Sequence, residues 1–271
     1  DPRFLALDGG QGVERPAAGL DPGDWVYVPN SVPTPASDGG TLATSADADL
    51  PRHSQNPPAL GALLGYIAGD GNVYYNRDEG SYGIRFTNAE EELLADFERA
   101  CRDVFDTTPV RHPSEQRADG VETVRLHGKA YVDELLGAGL NLETYDGKRV
   151  PAAVLQGDDS VKAAFLRALA DAEGNVDDRK VTLFSSSYEL LLGAKMLLAE
   201  FGVTCQIQYR ERDEGRDLYV LAITAADSLA AFARHVGFTL TRNQEALDAV
   251  CENASGDCTI LDVLPDCGHL F

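Results

Sequence analysis

LLGYIAGDG at 63–71 and LRALADAEG at 166–174 decide how this chain folds. Each is an apolar run of small residues that closes on an acid followed by glycine. In the first, Gly61, Gly65 and Gly69 recur every four residues and Asp70 follows. In the second, Ala164, Ala168 and Ala172 recur in the same way and Glu173 follows. A spacing of four keeps such residues on one helix face. A face of glycine or alanine lets two helix backbones approach more closely than larger side chains allow. The two ladders share one register, so packing them together brings Asp70 and Glu173 side by side at one end. That arrangement is electrostatically unfavourable: both carboxylates sit at helix C-termini, where the dipole disfavours negative charge, and they repel each other. Either the pair shares a proton or a divalent cation lies between them. Carboxylates holding Mg²⁺ are what phosphodiester hydrolysis needs, since the metal polarises the phosphate and activates water. Two buried helices with surface acids at their ends would explain either motif alone. They do not explain two copies in one register, 103 residues apart.

The two stretches resemble the paired signature of LAGLIDADG (dodecapeptide, DOD-type) homing endonucleases in their single-chain form, the second copy being the closer match. The resemblance covers about residues 51–250. It implies cleavage of double-stranded DNA at a long asymmetric site with Mg²⁺ or Mn²⁺, with Asp70 and Glu173 as catalytic metal ligands. YDGKRVPAAVL at 145–155 resembles the family's Lys-x-hydrophobic-Pro block ahead of the second motif, so Lys148 matches the family's active-site lysine. An ammonium beside the scissile phosphate would stabilise developing charge or help position the attacking water. After Gly237-Phe238, where the family often has a lysine, this chain offers Arg242 and Asn243. Asp171, inside the second motif, is expected to be structural, because Ala68 takes its place in the first.

The order of elements repeats. After Asp70, NVYY and YGIRF form a hairpin. EEELLADFERACRDVF then carries a helical stripe of Leu93, Leu94, Phe97, Cys101 and Val104. A second hairpin flanks QRADG, and AYVDELLGAGL is a short helix. In the second half a motif helix over 160–173 leads into KVTLFSSS. A helix over 188–201, a hairpin around ERDEGR and the helix AADSLAAFARHV follow. The fold class is α+β: two pseudo-twofold-related αββαββα halves joined at their motif helices, each with a twisted sheet. The halves are placed at 59–147 and 148–253, after a linker at 31–58 that is rich in Ser, Thr, Asp, Pro and Gly.

Alternation along the strands points to a DNA-reading face. VTCQIQYR sets Val203, Cys205, Ile207 and Tyr209 on one side and Thr204, Gln206, Gln208 and Arg210 on the other. Gln and Arg suit adenine and guanine edges in the major groove, where a two-stranded ribbon fits. VETVRLHG turns Val124 and Leu126 inward and Thr123, Arg125 and His127 outward. Arg85, Arg111 and Arg117 lie on neighbouring strands or turns, and Arg179 and Lys180 occupy the matching region of the second half. The plain alternative is a solvated sheet face.

The flanks carry a second resemblance. FLAL and WVYVP mark a small β unit over 1–30, and LDPGDWVYVP resembles the part of an intein splicing domain that precedes an inserted endonuclease. ASGDCTILDVLPDCGHLF at 254–271 resembles the return to that domain. Asp1-Pro2 stands where the family shows a histidine, and no terminal His-Asn pair is present. The expectation is therefore an intein interior or fragment, without splicing activity of its own and monomeric apart from any host protein. The five cysteines (Cys101, Cys205, Cys251, Cys258, Cys267) are odd in number and form no CxxC pair. This argues against a disulfide framework and against a zinc finger. No apolar run reaches membrane-spanning length and no signal-peptide pattern is present, so a cytoplasmic location is expected.

Charge opposes a nucleic-acid partner: 23 Lys and Arg against 44 Asp and Glu give a formal net charge of −21. A salt-accumulating cell resolves this, because its electrolyte screens repulsion beyond a few ångströms. The other classes this leaves are a degenerate copy that binds DNA without cutting and an acidic scaffold with no nucleic-acid role. If the endonuclease reading and the saline origin both hold, cleavage should pass through an optimum at high KCl rather than only weaken as salt rises. Rates measured across a KCl series check this, and maximal stability and activity at low salt would contradict it.

Overall fold

The structure is a computed structural model that describes residues 3–8, 11–21, 25–26, 57–114, 120–177, 179–212 and 218–254. Of the expected linker at 31–58 and return segment at 254–271, residues 31–56 and 255–271 fall outside the described residues, while Pro57 and Pro58 open α1 and Ala254 closes α8. At the N-terminus β1 (Arg3–Asp8), β2 (Gln11–Pro16) and β3 (Trp25–Val26) form an antiparallel sheet in the order β2-β1-β3. The sequence marks β1 and β3 but not β2, whose QGVERP run has Val13 as its single β-prone residue.

The first half runs α1 (Pro57–Ala68), β4 (Asn72–Asn76), β5 (Ser81–Asn88), α2 (Glu91–Phe105), β6 (Val110–Pro113), β7 (Glu122–His127) and α3 (Lys129–Gly137). A connection containing the short helix α4 (Ala152–Leu155) leads to the second half. That half runs α5 (Asp159–Glu173), β8 (Gly174–Asp177), β9 (Lys180–Ser185), α6 (Tyr188–Glu200), β10 (Gln206–Arg210), β11 (Leu218–Ile223) and α7 (Ala226–His235), with an added helix α8 (Thr241–Ala254). Each half holds one four-stranded antiparallel sheet. The orders β4-β5-β7-β6 and β8-β9-β11-β10 are equivalent. The expected αββαββα duplication is present. The sequence reading did not name β8, a four-residue strand that begins on Gly174, the last residue of the second motif.

Helices cover one face of each sheet. Leu93, Leu94, Phe97, Cys101 and Val104 of α2 are all at most 1% exposed and meet Ile84, Phe86, Val124 and Leu126 from the sheet. Tyr66 joins this core through ring contacts with Phe86 and Phe97, and its hydroxyl donates to buried Asp96 at 2.8 Å. Leu190, Leu191, Leu197 and Leu198 of α6 cover Val181, Leu183, Leu221 and Ile223 in the same way. Ser187 caps α6 by accepting from the Leu190 amide at 3.2 Å, and Asp158 caps α5 by accepting from Ser160 and Val161.

The two halves meet chiefly along α1 and α5. A Cβ added at Gly65 would lie 2.4 Å from the Phe165 carbonyl oxygen and 2.8 Å from the Ala168 methyl. One at Gly69 would lie 2.6 Å from the Ala172 methyl. Gly65 faces Ala168 and Gly69 faces Ala172, as the common register requires. Gly61 departs from it: the nearest atom is the Val161 carbonyl oxygen, at 2.4 Å from its added Cβ, and Ala164 instead borders a smaller cavity beside Ala62 and Arg167. The contact is backbone to backbone, so no side chain can yield. Gly65→Leu or Ala168→Leu should cost roughly 1–3 kcal/mol or more by overpacking. A chain of this size loses about 2–4 °C per kcal/mol, so thermal denaturation reads the effect. Unchanged melting in both variants would mean the helices do not meet there.

Candidate active site

The ladder ends where the two acids stand. α1 closes through the Gly69 amide on the Gly65 carbonyl (3.0 Å) and the Gly71 amide on the Tyr66 carbonyl (2.8 Å), leaving Asp70 exposed at the turn. α5 ends on Glu173, whose Cγ lies 3.3 Å from where a Gly69 Cβ would be. Close packing therefore presses the second acid onto the turn that carries the first. Burial, then the neighbouring Asp70 charge, pushes the Glu173 carboxyl up to about 7, and Lys148 opposes the shift.

Lys148 is fixed from both sides. Its ammonium donates to the Gly69 carbonyl, and its own carbonyl accepts from the Ser187 hydroxyl at 2.5 Å. Burial lowers its pKa, opposed by the charges of Glu173, Asp70 and Tyr145 in that order. Val150, two residues on, packs against Gly193 of α6, where an added Cβ would lie 2.5 Å from it. The Lys-Arg-Val-Pro block thus anchors to the second half and sends its lysine back to the end of α1.

These groups border a cleft of about 600 Å³ that spans the two halves. Asp70, Glu173 and Lys148 share its lining with Asn72, Arg85, Thr87, Thr123 and Arg125 of the first sheet, Ser185 and Ser186 of the second half, and Arg149 and Arg212. Arg149 and Arg212 were not singled out from the sequence. Both carried a signal: Arg149 adjoins Lys148, and Arg212 continues the phase of Gln208 and Arg210. Arg85 and Arg125 sit directly opposite each other across β5 and β7, and the Arg125 Nε is buried without a partner. Like charges directly opposite destabilise a sheet, so this pair suits an anion.

The remaining sequence candidates divide. Gln206, Gln208 and Arg210 are exposed on β10 on the helix-free face, as expected. His127 is exposed on the helix-free face of the first sheet, and its Nδ1 shares a 2.6 Å hydrogen bond with the Tyr74 hydroxyl. Arg179 and Lys180 lie at the β8–β9 turn, where Lys180 pairs with Asp177 at 3.5 Å. Arg111 belongs elsewhere. It pairs in register with inward-facing Val124, so it points to the helix side, where Glu91, Glu98 and Glu122 hold it. Thr204 precedes β10, and its hydroxyl bonds Ser228 of α7 at 2.8 Å. Arg117 lies outside the described residues. Arg242 pairs with Glu90 at 2.8 Å and is not among the residues lining the cleft. Asp171 is structural, as expected: buried, it accepts from the Thr239 amide at 3.0 Å and the Leu240 amide at 3.1 Å.

Among the described residues, no group of three or more His, Cys, Asp or Glu side chains could hold a metal. Two hard carboxylates nevertheless match what Mg²⁺ takes from a protein, one or two carboxylates with waters and substrate phosphate completing the shell. Cys101, Cys205 and Cys251 are free thiols. No helix among the described residues is long and apolar enough to cross a membrane.

The sequence pattern of the LAGLIDADG-like domain matches residues 57–136 and again 160–237. The chain is similar to the replication factor C small subunit of Methanocaldococcus jannaschii, 23% identical over 205 residues, which is 75% of this chain and 11% of that protein. It is similar to glutamine–fructose-6-phosphate aminotransferase of the same archaeon, 23% identical over 205 residues, 73% of this chain and 18% of that protein. An uncharacterised protein of that archaeon is 26% identical over 208 residues, 72% of each chain. The chain therefore spans less than a fifth of the first two relatives. Among solved structures, I-DmoI in complex with DNA and Ca superposes with TM-score 0.54 at 20% identity, over 72% of this chain and 99% of that one. I-DmoI in complex with DNA and Mn gives 0.51 at 22% identity, over 67% and 97%. At these identities the likeness is one of fold.

The raised Glu173 pKa fixes a sign. A carboxyl whose pKa rises on folding, here from 4.5 to about 7, contributes stability that is complete below its unfolded pKa and is lost as pH rises through the folded one. With chelator present, the melting temperature should fall between about pH 5 and pH 8. Glu173→Gln should flatten that fall and melt roughly a few degrees higher than wild type at the alkaline end. An unaltered pH profile in the variant would show that Glu173 is not held against Asp70.

Proposed function

Because the chain belongs to the LAGLIDADG-like domain family, we propose that it is a site-specific, divalent-metal-dependent endonuclease that cuts both strands of a long asymmetric DNA site. The observation that carries this reading is the retention of both acids at the abutting ends of α1 and α5, with Lys148 tied to the same turn. Asp70 and Glu173 would hold Mg²⁺ or Mn²⁺, which when bound polarises the phosphate and generates the hydrolytic nucleophile. Lys148 supplies positive charge beside the two carboxylates, where an incoming phosphate gathers negative charge. Arg85 and Arg125 of the first sheet and Gln206, Gln208 and Arg210 of the second face the duplex, and His127, Arg179 and Lys180 extend that surface.

The context fits an inserted element. Relatives named as a replication factor subunit and an aminotransferase share one segment of about the same length with this chain, a small fraction of each protein. A mobile insert carried in different host proteins gives that pattern. The antiparallel β1–β3 sheet agrees with the edge of an intein splicing domain ahead of the endonuclease. The halves then act within one chain, without a partner subunit, and the acidic surface belongs to a saline cytoplasm.

A gel shift and a cleavage assay on the uninterrupted host-gene duplex, with Mg²⁺ or Mn²⁺, test the reading. Asp70→Asn and Glu173→Gln should each retain binding and lose cleavage by on the order of a hundredfold or more. Cutting at the wild-type rate by either variant would remove the carboxylates from the mechanism. Wild type that binds but never cuts would make the chain a non-cleaving DNA-binding module. The strands should also be cut at unlike rates. Arg85 pairs with Asn72, two residues after the first acid, whereas Thr182 pairs with Asn175, two after the second. A nicked plasmid should therefore accumulate before linear product, and equal strand rates would contradict the asymmetry.

A further inference from the structure

The duplicated register lets the two sheets be compared position by position. Asn72 and Asn175 stand two residues beyond their acids, and from them the pairings run outward. In the first half Asn72 faces Arg85, Arg85 faces Arg125, and Thr87 faces Thr123. In the second half Asn175 faces Thr182, Thr182 faces Ala222, and Phe184 faces Val220. Arg85, Thr87, Thr123 and Arg125 thus correspond to Thr182, Phe184, Val220 and Ala222. The first quartet carries two charges and two hydroxyls; the second carries no charge and is almost wholly apolar.

Thr182 and Val220 of the second quartet are buried, but the quartet faces away from the helices. Val181, Leu183, Leu221 and Ile223, its neighbours in alternation, fill the helix side, so Phe184, Val220 and Ala222 project from the opposite, helix-free face. Phe184 and Ala222 stay partly exposed there. Gln206 faces Ala222 and Gln208 faces Val220 across the β10 edge, giving the patch a rim of amides. The same face reaches the cleft that holds both acids through Leu218, which is in phase with Val220 and Ala222 on β11. The face is continuous with the proposed catalytic site, which leaves the duplex as its occupant.

Resting on the endonuclease reading above, we propose that the second half reads an A·T-rich half-site by packing Phe184 and Ala222 against thymine methyl groups. Thymine alone places a methyl in the major groove, and Phe, Ala and Thr are the side chains that contact it. Gln206 and Gln208 are suited to the adenine edge beside it. The first half, with Arg85 and Arg125 at the equivalent places, is suited to guanine. The target is then asymmetric in base composition as well as in sequence.

Deoxyuridine tests this, because it keeps every hydrogen-bonding edge of thymine and removes only the methyl. A randomised duplex library retained by the full chain in Ca²⁺ gives the preferred site, and its thymines are replaced by deoxyuridine one half-site at a time. In one half-site the dissociation constant should rise by roughly fourfold for each methyl lost from contact, and in the other it should not change. Phe184→Ala should abolish that penalty while leaving the preferences of the other half-site intact. If Phe184→Ala does not fold, Ala222→Gly should lessen the penalty by the same logic. A retained duplex that is indifferent to deoxyuridine in both half-sites, or a penalty that survives both variants, overturns the proposal but leaves DNA binding standing. If no duplex is retained at all, the endonuclease reading falls and this proposal with it.

Discussion

The close approach of α1 and α5 is the constraint on which the rest of the molecule depends. Because Gly65 and Gly69 carry no Cβ, the backbone of α1 can lie against Phe165, Ala168 and Ala172 with no room between. That steric fact creates an electrostatic one. Two helices this close cannot end in acids without forcing them together, and burial plus the Asp70 charge raise the Glu173 pKa to about 7. Lys148 offsets part of the penalty by placing an ammonium on the Gly69 carbonyl, yet it is itself discouraged from charging by burial. A site of this kind is held in unfavourable balance by packing that cannot relax locally, since the glycines have no side chains to rearrange. A shared proton or a divalent cation would relieve it.

The second half is not a copy of the first, and the difference follows from one side chain. Where α1 has Ala68, α5 has Asp171, buried and accepting from Thr239 and Leu240 just ahead of α8. Those bonds fix the start of a helix that the first half lacks. From there Thr241 donates through both its amide and hydroxyl to Glu92, at 3.0 and 2.6 Å, and Arg242 pairs with Glu90. Both acceptors lie at the N-terminal end of α2, in the other half. Negative side chains there also suit the α2 dipole. Asp171 thus turns a helix end into a cross-half brace, and Arg242, which sequence position placed near the catalytic centre, works in that brace.

Much of this was legible in the sequence because the signals were local and periodic. The ladders, the α2 stripe and the alternation in VETVRLHG and VTCQIQYR each depend on spacing within a few residues, and each appears in the structure. What the sequence concealed depended on partners distant along the chain. Arg111 looks like a reading residue until its pairing with Val124 turns it toward Glu91 and Glu98 on α2. Thr204 fits the alternation of β10 but lies before the strand, bonded to Ser228. Gly61 keeps the ladder spacing yet meets Val161 in place of Ala164, because sequence register fixes which faces meet but not how the axes cross. The apolar quartet on the second sheet was hidden for a related reason: nothing near Phe184 or Val220 in the sequence tells which face they take, and strand register puts them on the face away from the helices.

The net charge of −21 then ceases to argue against DNA, because what a phosphate meets is local. Field lines concentrate in clefts with low-dielectric walls, so the sign of a cleft's lining outweighs the sign of the whole surface. Many cations are spent on structure: Arg111 serves three carboxylates, and buried Lys162 holds Glu200 at 2.5 Å between α5 and α6. Others gather in one place. Arg85, Arg125, Lys148, Arg149 and Arg212 all border the cleft that contains Asp70 and Glu173. At high ionic strength the remote acids are screened within a few ångströms, while groups in direct contact with a bound phosphate are not. An acidic protein in strong salt can therefore hold a polyanion through a few converging arginines and through apolar contacts, which salt does not weaken. On the proposed reading, the apolar face of the second sheet is then the part of DNA recognition that strong salt would leave intact.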